Sequence, residues 1–100
     1  MTTTIQEIEG RLVATLCGEL DTAAAPAAEA AFQPLLDSQG KDIVIDCTEL
    51  EYIASSGLRL FLSILKQAKA SGSRVILKNV NDVVKDVLDL TGFISIFEFE

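Results

Sequence analysis

The chain has 100 residues, an apolar share of 49%, a mean hydropathy of +0.36 and a formal net charge of −7. This composition supplies one hydrophobic core and excludes a disordered chain. An acidic surface repels phosphate backbones and anionic lipid, so we expect neither nucleic-acid binding nor direct membrane insertion. The apolar runs are too short to span a bilayer, and MTTTIQEIEG lacks the basic start and apolar centre of a signal peptide. We therefore predict one cytoplasmic domain over residues 1–100.

Several kinds of chemistry are excluded by what the sequence lacks. It contains no histidine, which removes the commonest general base, the usual metal ligand and every Ser–His pair, so we do not expect an enzyme. It has no glycine-rich nucleotide loop and no carboxylate cluster with metal-ligand spacing, so we expect no cofactor and no metal. Cys17 and Cys47 lie in strand-like apolar segments without a C-x-x-C motif, and we expect both to be buried as small hydrophobes.

The first half of the chain predicts a β-hairpin and a helix. Residues 5–8 and 12–17 carry the pattern of two strands around Gly10-Arg11. An alanine-rich helix follows, with Asp21 or Thr22 as its cap. Two prolines interrupt that helix. Pro26 fits the first helical position best, and Pro34 should bend or end the helix.

The second half alternates strands and helices. We predict strands at residues 43–47, 74–78 and 93–99, and helices from Gly57 to about Ala70 and over residues 80–90. Asn79 or Asn81 is the expected cap of the last helix. The order β-β-α-β-α-β-α-β predicts an α/β domain. Its mixed sheet should have a parallel centre and an N-terminal hairpin, with three main helices.

The segment with the most information is Ser55-Ser56-Gly57, which precedes the second helix. A serine hydroxyl there lies at the positive end of the helix, where backbone N–H groups lack intrahelical partners. A phosphoryl group on Ser55 would meet a site suited to hold it. The alternative is that Ser55 or Ser56 simply caps the helix, and the spacing by itself favours capping. Nothing in the pattern decides between the two serines.

Three further side chains have two interpretations each. Asp21 and the serine loop both follow parallel strands, so Asp21 either presents a carboxylate beside that loop or caps a helix. Gly57 either admits a partner's backbone or relieves crowding in the turn. Arg59, one turn after Ser55, either pairs with a phosphate or is solvated. Asp46 interrupts an apolar strand and is expected to bond the backbone of a neighbouring loop.

Leu60 and Ile64 lie off the main apolar stripe of the second helix. One interpretation is an exposed apolar patch that anchors a partner. The other is packing against an adjacent helix on the sheet.

Three segments together resemble a STAS domain, the fold of bacterial anti-sigma factor antagonists. They are GELD at residues 18–21, IVIDCTELEYIASSGLRLFL at 43–62 and DLTGF at 89–93. The resemblance implies that Ser55 is the phosphoserine and that Asp21 lies beside the partner-binding surface. It also implies that the unphosphorylated protein binds an anti-sigma factor that is itself a serine kinase, which frees a sigma factor. Phosphorylation by that kinase releases the protein, and a serine phosphatase resets it.

The predicted partner-binding set follows from the residues and the resemblance together, and it comprises Asp21, Ser55, Ser56, Gly57, Leu60 and Ile64. One residue departs from the family pattern, because Ala54 stands where the family often has an aspartate. An alternative function is that of a constitutive STAS subunit in an assembly such as a lipid-transport ABC transporter. That subunit would need no phosphorylation and would use Leu60 and Ile64 as anchors.

Overall fold

A mixed sheet of five strands organises the chain, and the computed structural model describes residues 1–100. The strands are β1 (Thr2–Ile8), β2 (Arg11–Leu20), β3 (Ile43–Ile53), β4 (Val75–Lys78) and β5 (Glu98–Phe99). The helices are α1 (Ala25–Ala31), a 3₁₀ helix (Gln33–Asp37), α2 (Ser55–Ser71) and α3 (Asp82–Leu90). The strand order is β1-β2-β3-β4-β5, with β1 antiparallel to β2 and every other neighbour parallel. The predicted fold class is confirmed.

The hairpin between β1 and β2 closes through two residues with positive φ. Ile8 pairs with Arg11, and the turn residues Glu9 and Gly10 have φ of 52° and 77°. Two consecutive positive φ angles match the right-handed twist of the flanking strands. The turn therefore fixes the register of β1.

One hydrophobic core lies between one face of the sheet and the helices. The strands contribute alternate residues, such as Ala14 and Leu16 from β2, and every helix contributes at least one buried side chain. Phe61 of α2 is fully buried between Phe32 and Phe97, with ring centroids 6.5 and 6.4 Å apart. Such aromatic pairs add about 0.5–1.5 kcal/mol each to the effect of burial. They fix α2 against the sheet.

The opposite face of the sheet is covered by charged side chains. Val44 and Ile76 are each only 3% exposed there, although neither belongs to the core. A shallow cleft on this face is lined by residues of the strands and their turns, among them Arg11, which donates to Glu100 at 2.9 Å. Long side chains cover apolar surface with their methylene groups while the charge stays in water. They account for the burial of the central strand on both faces.

β3 is six residues longer than predicted. It pairs with β2 as far as Leu20 opposite Ile53, through register shifts after Thr15 and after Gly18. Its last buried residues are Cys47, Leu50 and Ile53, spaced three apart. Bulges of this kind interrupt the two-residue alternation by which a strand is recognised. Residues 48–53 therefore read as a turn in the sequence.

Pro34 ends α1 as predicted. The α-helix stops at Ala31, and the chain continues as the 3₁₀ helix, with Pro34 in its first turn. Proline has no N–H to donate and its ring clashes with the preceding turn. α1 itself begins at Ala25, so Pro26 is the second helical residue.

The last helix and strand are shorter than predicted. Asn81 caps α3 by accepting from the Val84 N–H at 2.8 Å, and its amide donates to the Leu50 carbonyl at 2.9 Å. The predicted strand at 93–99 was wrong for most of its length. The N–H groups of Phe93 and Ile94 both donate to the Leu88 carbonyl, which folds this segment back on α3. None of the helices combines the length and apolarity needed to cross a bilayer.

The two cysteines differ, contrary to the prediction that both are buried. Cys17 is exposed on β2, whereas Cys47 is fully buried on β3. Burial, assisted by the charge of the neighbouring Asp46 carboxylate, raises the pKa of the Cys47 thiol to about 12. Because the thiolate is the reactive form, we expect Cys47 to be unreactive in the folded protein.

We predict that iodoacetamide at neutral pH adds one label to the native chain, at Cys17, and a second at Cys47 only on unfolding. Mass spectrometry of the quenched protein measures both. The Cys17→Ser variant should take up no label until it unfolds. Equal labelling rates for the two thiols in native buffer would contradict this prediction.

Candidate functional site

The carboxyl ends of β2 and β3 bring the predicted site residues together. The strands are parallel and end in register, and the Ala54 N–H donates to the Leu20 carbonyl at 2.9 Å. The loop after β2 therefore lies beside the start of α2. Sites in open α/β sheets form at this edge.

Ser55 is the first residue of α2, and its side chain is exposed. Ala54 occupies the cap position with an extended backbone (φ −89°, ψ 170°), and no side chain caps the helix. The interpretation of Ser55 or Ser56 as a cap is therefore wrong. The Leu58 N–H is the first to donate within the helix, to the Ala54 carbonyl at 3.0 Å, so the three preceding amides lie before the hydrogen-bond ladder. The Ser55 hydroxyl lies at the positive end of a 17-residue helix.

We predict that Ala54→Asp stabilises the protein by about 1 kcal/mol, because aspartate at this position accepts from the free amides. Ala54→Asn should give a similar gain without a charge, which separates capping from the interaction with the helix dipole. Urea unfolding measures both variants. A variant Ala54→Val, which adds bulk but no acceptor, is the control. No gain in either capped variant would contradict this account of the helix start.

Ser56 differs from Ser55 in its surroundings. It is half-buried, and its hydroxyl donates to the Thr22 hydroxyl at 3.3 Å. This bond joins the loop after β2 to the first turn of α2. Thr22 was predicted only as a helix cap, and its contact with Ser56 depends on the pairing of β2 with β3, whose partner residues lie at least 31 positions apart in the chain. Of the two hydroxyls, only that of Ser55 is exposed and without a hydrogen bond.

Gly57 is buried against β2. A Cβ atom built on it would lie 2.5 Å from the Cγ atom and 3.0 Å from the carbonyl oxygen of Leu20. A Cβ atom essentially never comes within 3.0 Å of a non-bonded heavy atom outside its own and the adjacent residues. The close approach that Gly57 permits is therefore to its own chain, and the interpretation based on crowding is the one that the structure supports.

Asp21 caps the turn that precedes α1. Its Oδ1 atom accepts from the Ala24 N–H at 2.8 Å. Its side chain also lines an open cleft of about 460 Å³, together with Glu19 and Glu51. The cap position of α1 is Ala24 and carries no side-chain bond, so the prediction that Asp21 or Thr22 caps this helix was wrong. Asp21 caps the preceding turn, and it also lies at the edge that carries Ser55. The rim of this cleft is acidic, which the order of residues along the chain did not indicate.

Arg59 and Asp46 are the two remaining charged residues for which the sequence predicted contacts, and only Arg59 lies near Ser55. Arg59 is exposed and belongs to none of the four ion pairs of the structure, so its guanidinium is free one turn after Ser55. Asp46 is half-buried and accepts from the Thr48 N–H at 3.0 Å. It bonds the backbone as expected, although the partner lies on its own strand.

Leu60 and Ile64 pack between helices. Ile64 is 1% exposed and belongs to the core, while Leu60 is half-buried against it. Together with Phe32 and Leu36 they line a cleft of about 60 Å³ between α2 and the chain after α1. The prediction of Ile64 as an exposed anchor was wrong, because its side chain fills this contact. Leu60 keeps part of its surface in solvent, and its role in binding stays a prediction.

The geometry of the site is compatible with covalent modification of the Ser55 hydroxyl and with contact to a partner protein. The Ser55 hydroxyl has no hydrogen bond to a base, and activated serine nucleophiles require one. No group of three or more His, Cys, Asp or Glu side chains is placed to hold a metal ion. What the edge offers is an exposed alcohol, free amides and a free guanidinium beside an acidic cleft.

Comparison with known proteins gives the same family for nearly the whole chain. The model of the STAS domain matches residues 2–100. BtrV of Bordetella bronchiseptica, an anti-sigma factor antagonist by its name, is 34% identical over 97 residues, which cover 97% of this chain and 84% of BtrV. The anti-sigma-B factor antagonist of Bacillus subtilis is 28% identical over 94 residues, which cover 94% and 85% of the two chains.

Solved structures show the same fold. The anti-sigma factor antagonist SpoIIAA of Bacillus superposes in its unphosphorylated form with a TM-score of 0.81 at 23% identity, over 99% of this chain and 88% of that chain. Its phosphorylated form gives 0.73 at 22% identity, over 99% and 91%. The match of the family model and the identity to BtrV agree with the GELD, SSGL and TGF segments. This chain belongs to the STAS domain family.

Proposed function

We propose that the protein is an anti-sigma factor antagonist whose binding to its partner is switched by phosphorylation of Ser55. The observation that carries the proposal is the state of the Ser55 hydroxyl, which is exposed and free at the uncapped start of α2. The names of its relatives support the regulatory role, and SpoIIAA has been solved in both unphosphorylated and phosphorylated forms.

The proposed switch works through charge at a contact surface. In the unphosphorylated state, the surface formed by Ser55 and the neighbouring loop that contains Asp21 offers the partner a neutral hydroxyl group. A phosphoryl group adds a charge of about −1.5 to −2 at neutral pH, and it is costly to desolvate in an interface. The nearby free amides and Arg59 would hold it on this chain, since both favour an anion at a helix start. The partner surface, which fitted the neutral Ser55 hydroxyl, would then meet a hydrated phosphoryl dianion.

The partner in this proposal is an anti-sigma factor that is also a serine kinase, and a serine phosphatase removes the phosphoryl group. The kinase transfers the γ-phosphoryl group of ATP to the Ser55 oxygen, which loses its proton, and ADP leaves. All catalysis belongs to these two enzymes. We infer that the chain acts as their substrate and ligand in the cytoplasm, where ATP is available.

The test is incubation with the cognate kinase and ATP, followed by mass spectrometry of the peptide that contains both serines. We expect one phosphoryl group, located on Ser55. Ser56→Ala should still be modified, whereas Ser55→Ala should not. A kinase that binds the chain but leaves Ser55 unmodified would rule out the switch.

The alternative, a constitutive subunit of a transporter assembly, would use Leu60 and Ile64 as anchors, and both also belong to the predicted partner-binding set of the antagonist. Ile64 is in the core and can anchor neither partner. The names of the relatives favour the antagonist, which is therefore the function that we propose.

A further inference from the structure

A second surface, away from Ser55, lies along the outer side of α3. Val84 and Leu88 bury the inner side of this helix, and both are fully inaccessible to solvent. Val83 and Leu90 are nevertheless 52% and 88% exposed, and Val87 between them is half-buried. The helix therefore carries apolar side chains that the fold does not cover.

An aspartate directly precedes each of these three apolar residues in the chain. Asp82-Val83, Asp86-Val87 and Asp89-Leu90 are three acidic–apolar pairs, with successive spacings of four and three residues. At 100° per residue, the three apolar side chains fall within about 60° of one another on the helix, and so do the three aspartates beside them. The helix thus presents an apolar row next to an acidic row, and we call these six residues the α3 stripe.

We propose that the α3 stripe binds a basic amphipathic helix of a partner protein. An apolar row at this spacing fits the apolar face of another helix, and the acidic row fits lysines or arginines along its edge. No basic residue of this chain forms an ion pair with any of the three aspartates. Their charge is therefore available to a partner.

The same charges argue against two other occupants. A second copy would bring another row of aspartates to the contact, between chains that each carry a net charge of −7. An anionic lipid surface would be repelled by the acidic row for the same reason. A cationic helix is the occupant whose charge complements the surface, and the proposal is independent of the phosphorylation of Ser55.

The test uses the complete ¹⁵N-labelled chain and a synthetic 18-residue peptide. The peptide has leucines at i, i+4 and i+7, lysines beside them and alanines elsewhere. We expect saturable shifts of the α3 amide signals, and at least tenfold weaker binding by the double variant Val83→Ser/Leu90→Ser. Ile8→Ser, which replaces another half-exposed apolar residue, on β1, should bind as the original chain does.

A peptide with glutamates in place of the lysines should not bind. The proposal would be overturned by equal binding of the two peptides or by shifts located away from α3. Absence of binding would also overturn it, as would concentration-dependent self-association that the double variant abolishes. The double variant should keep nearly the thermal stability of the original chain, because Val83 is half-exposed and Leu90 is largely solvated.

Discussion

Replacing Gly57 with alanine is expected to destabilise the protein by about 1–3 kcal/mol, the usual cost of overpacking a well-filled site. The sign is informative, because glycine-to-alanine changes within helices ordinarily stabilise by about 0.5–1 kcal/mol. Gly57 has no positive φ that would require glycine, so only crowding reverses the sign. The added methyl would meet the Leu20 side chain and its carbonyl oxygen. Urea unfolding of Gly57→Ala measures the effect, with the exposed Ser63→Ala on the same helix as a control.

A double-mutant cycle with Leu20 identifies the cause. Leu20→Ala alone should cost about 2–5 kcal/mol through the cavity that it leaves. In the double variant, the Gly57→Ala methyl occupies part of that cavity, so the combined loss should be smaller than the sum by about 1 kcal/mol or more. Strict additivity of the two changes would show that Leu20 is not what excludes a side chain at Gly57.

Gly57→Ala should also disturb the site. Leu20 ends β2 immediately before the loop that contains Asp21 and Thr22, so moving it separates this loop from α2. We expect the bond between Ser56 and Thr22 to be lost. Amide chemical shifts of the loop residues would report this change in a variant that is still folded.

Ser55→Asp is expected to weaken binding to the anti-sigma factor by about 100-fold or more, whereas Ser55→Ala should bind as tightly as the original chain. A 100-fold loss corresponds to about 2.7 kcal/mol, within the several kcal/mol that like charges or an unpaired buried charge cost at an interface. Titration calorimetry with the purified partner measures both affinities. Equal affinities of the two variants would refute the electrostatic switch.

The matched control is Ser63→Asp, which adds the same charge to the same helix at an exposed position two turns further on. It should change the affinity by less than a factor of about three, because a solvated rim charge contributes little. If Ser63→Asp weakened binding as much as Ser55→Asp, total charge would be responsible and the position of Ser55 would not matter.

The regular elements could be predicted from the sequence because each has a strong local cause. Pro34 ended α1 where proline removes a helix bond, and Asn81 capped α3 as one of two candidates. The errors fall where long-range pairing overrides local pattern. The end of β3 is held by β2 across bulges, and Phe93 folds back on α3 through backbone bonds to Leu88.

The sequence predicted which residues form the site better than it predicted the role of each residue. Ser55, Asp21 and Gly57 meet at one edge because parallel strands end there, which follows from topology. Which serine is free, and that Gly57 faces Leu20, depend on distances between residues far apart in the chain. Ile64 was misassigned because helical spacing alone does not show that the chain after α1 covers that side of α2.

The uncapped start of α2 also affects how the Ser55 hydroxyl would reach the active site of a kinase. If the kinase of the proposed function binds its acceptor segment in an extended form, the first turn of α2 has to unwind before transfer. With no cap to break, loosening the first turn breaks the backbone bond between Leu58 and Ala54 and the hydroxyl bond between Ser56 and Thr22. The close packing of Gly57 against Leu20 should limit this fraying to Ser55 and Ser56. Under the proposed function, a segment of two residues that frays easily would carry the reacting oxygen on an otherwise rigid domain.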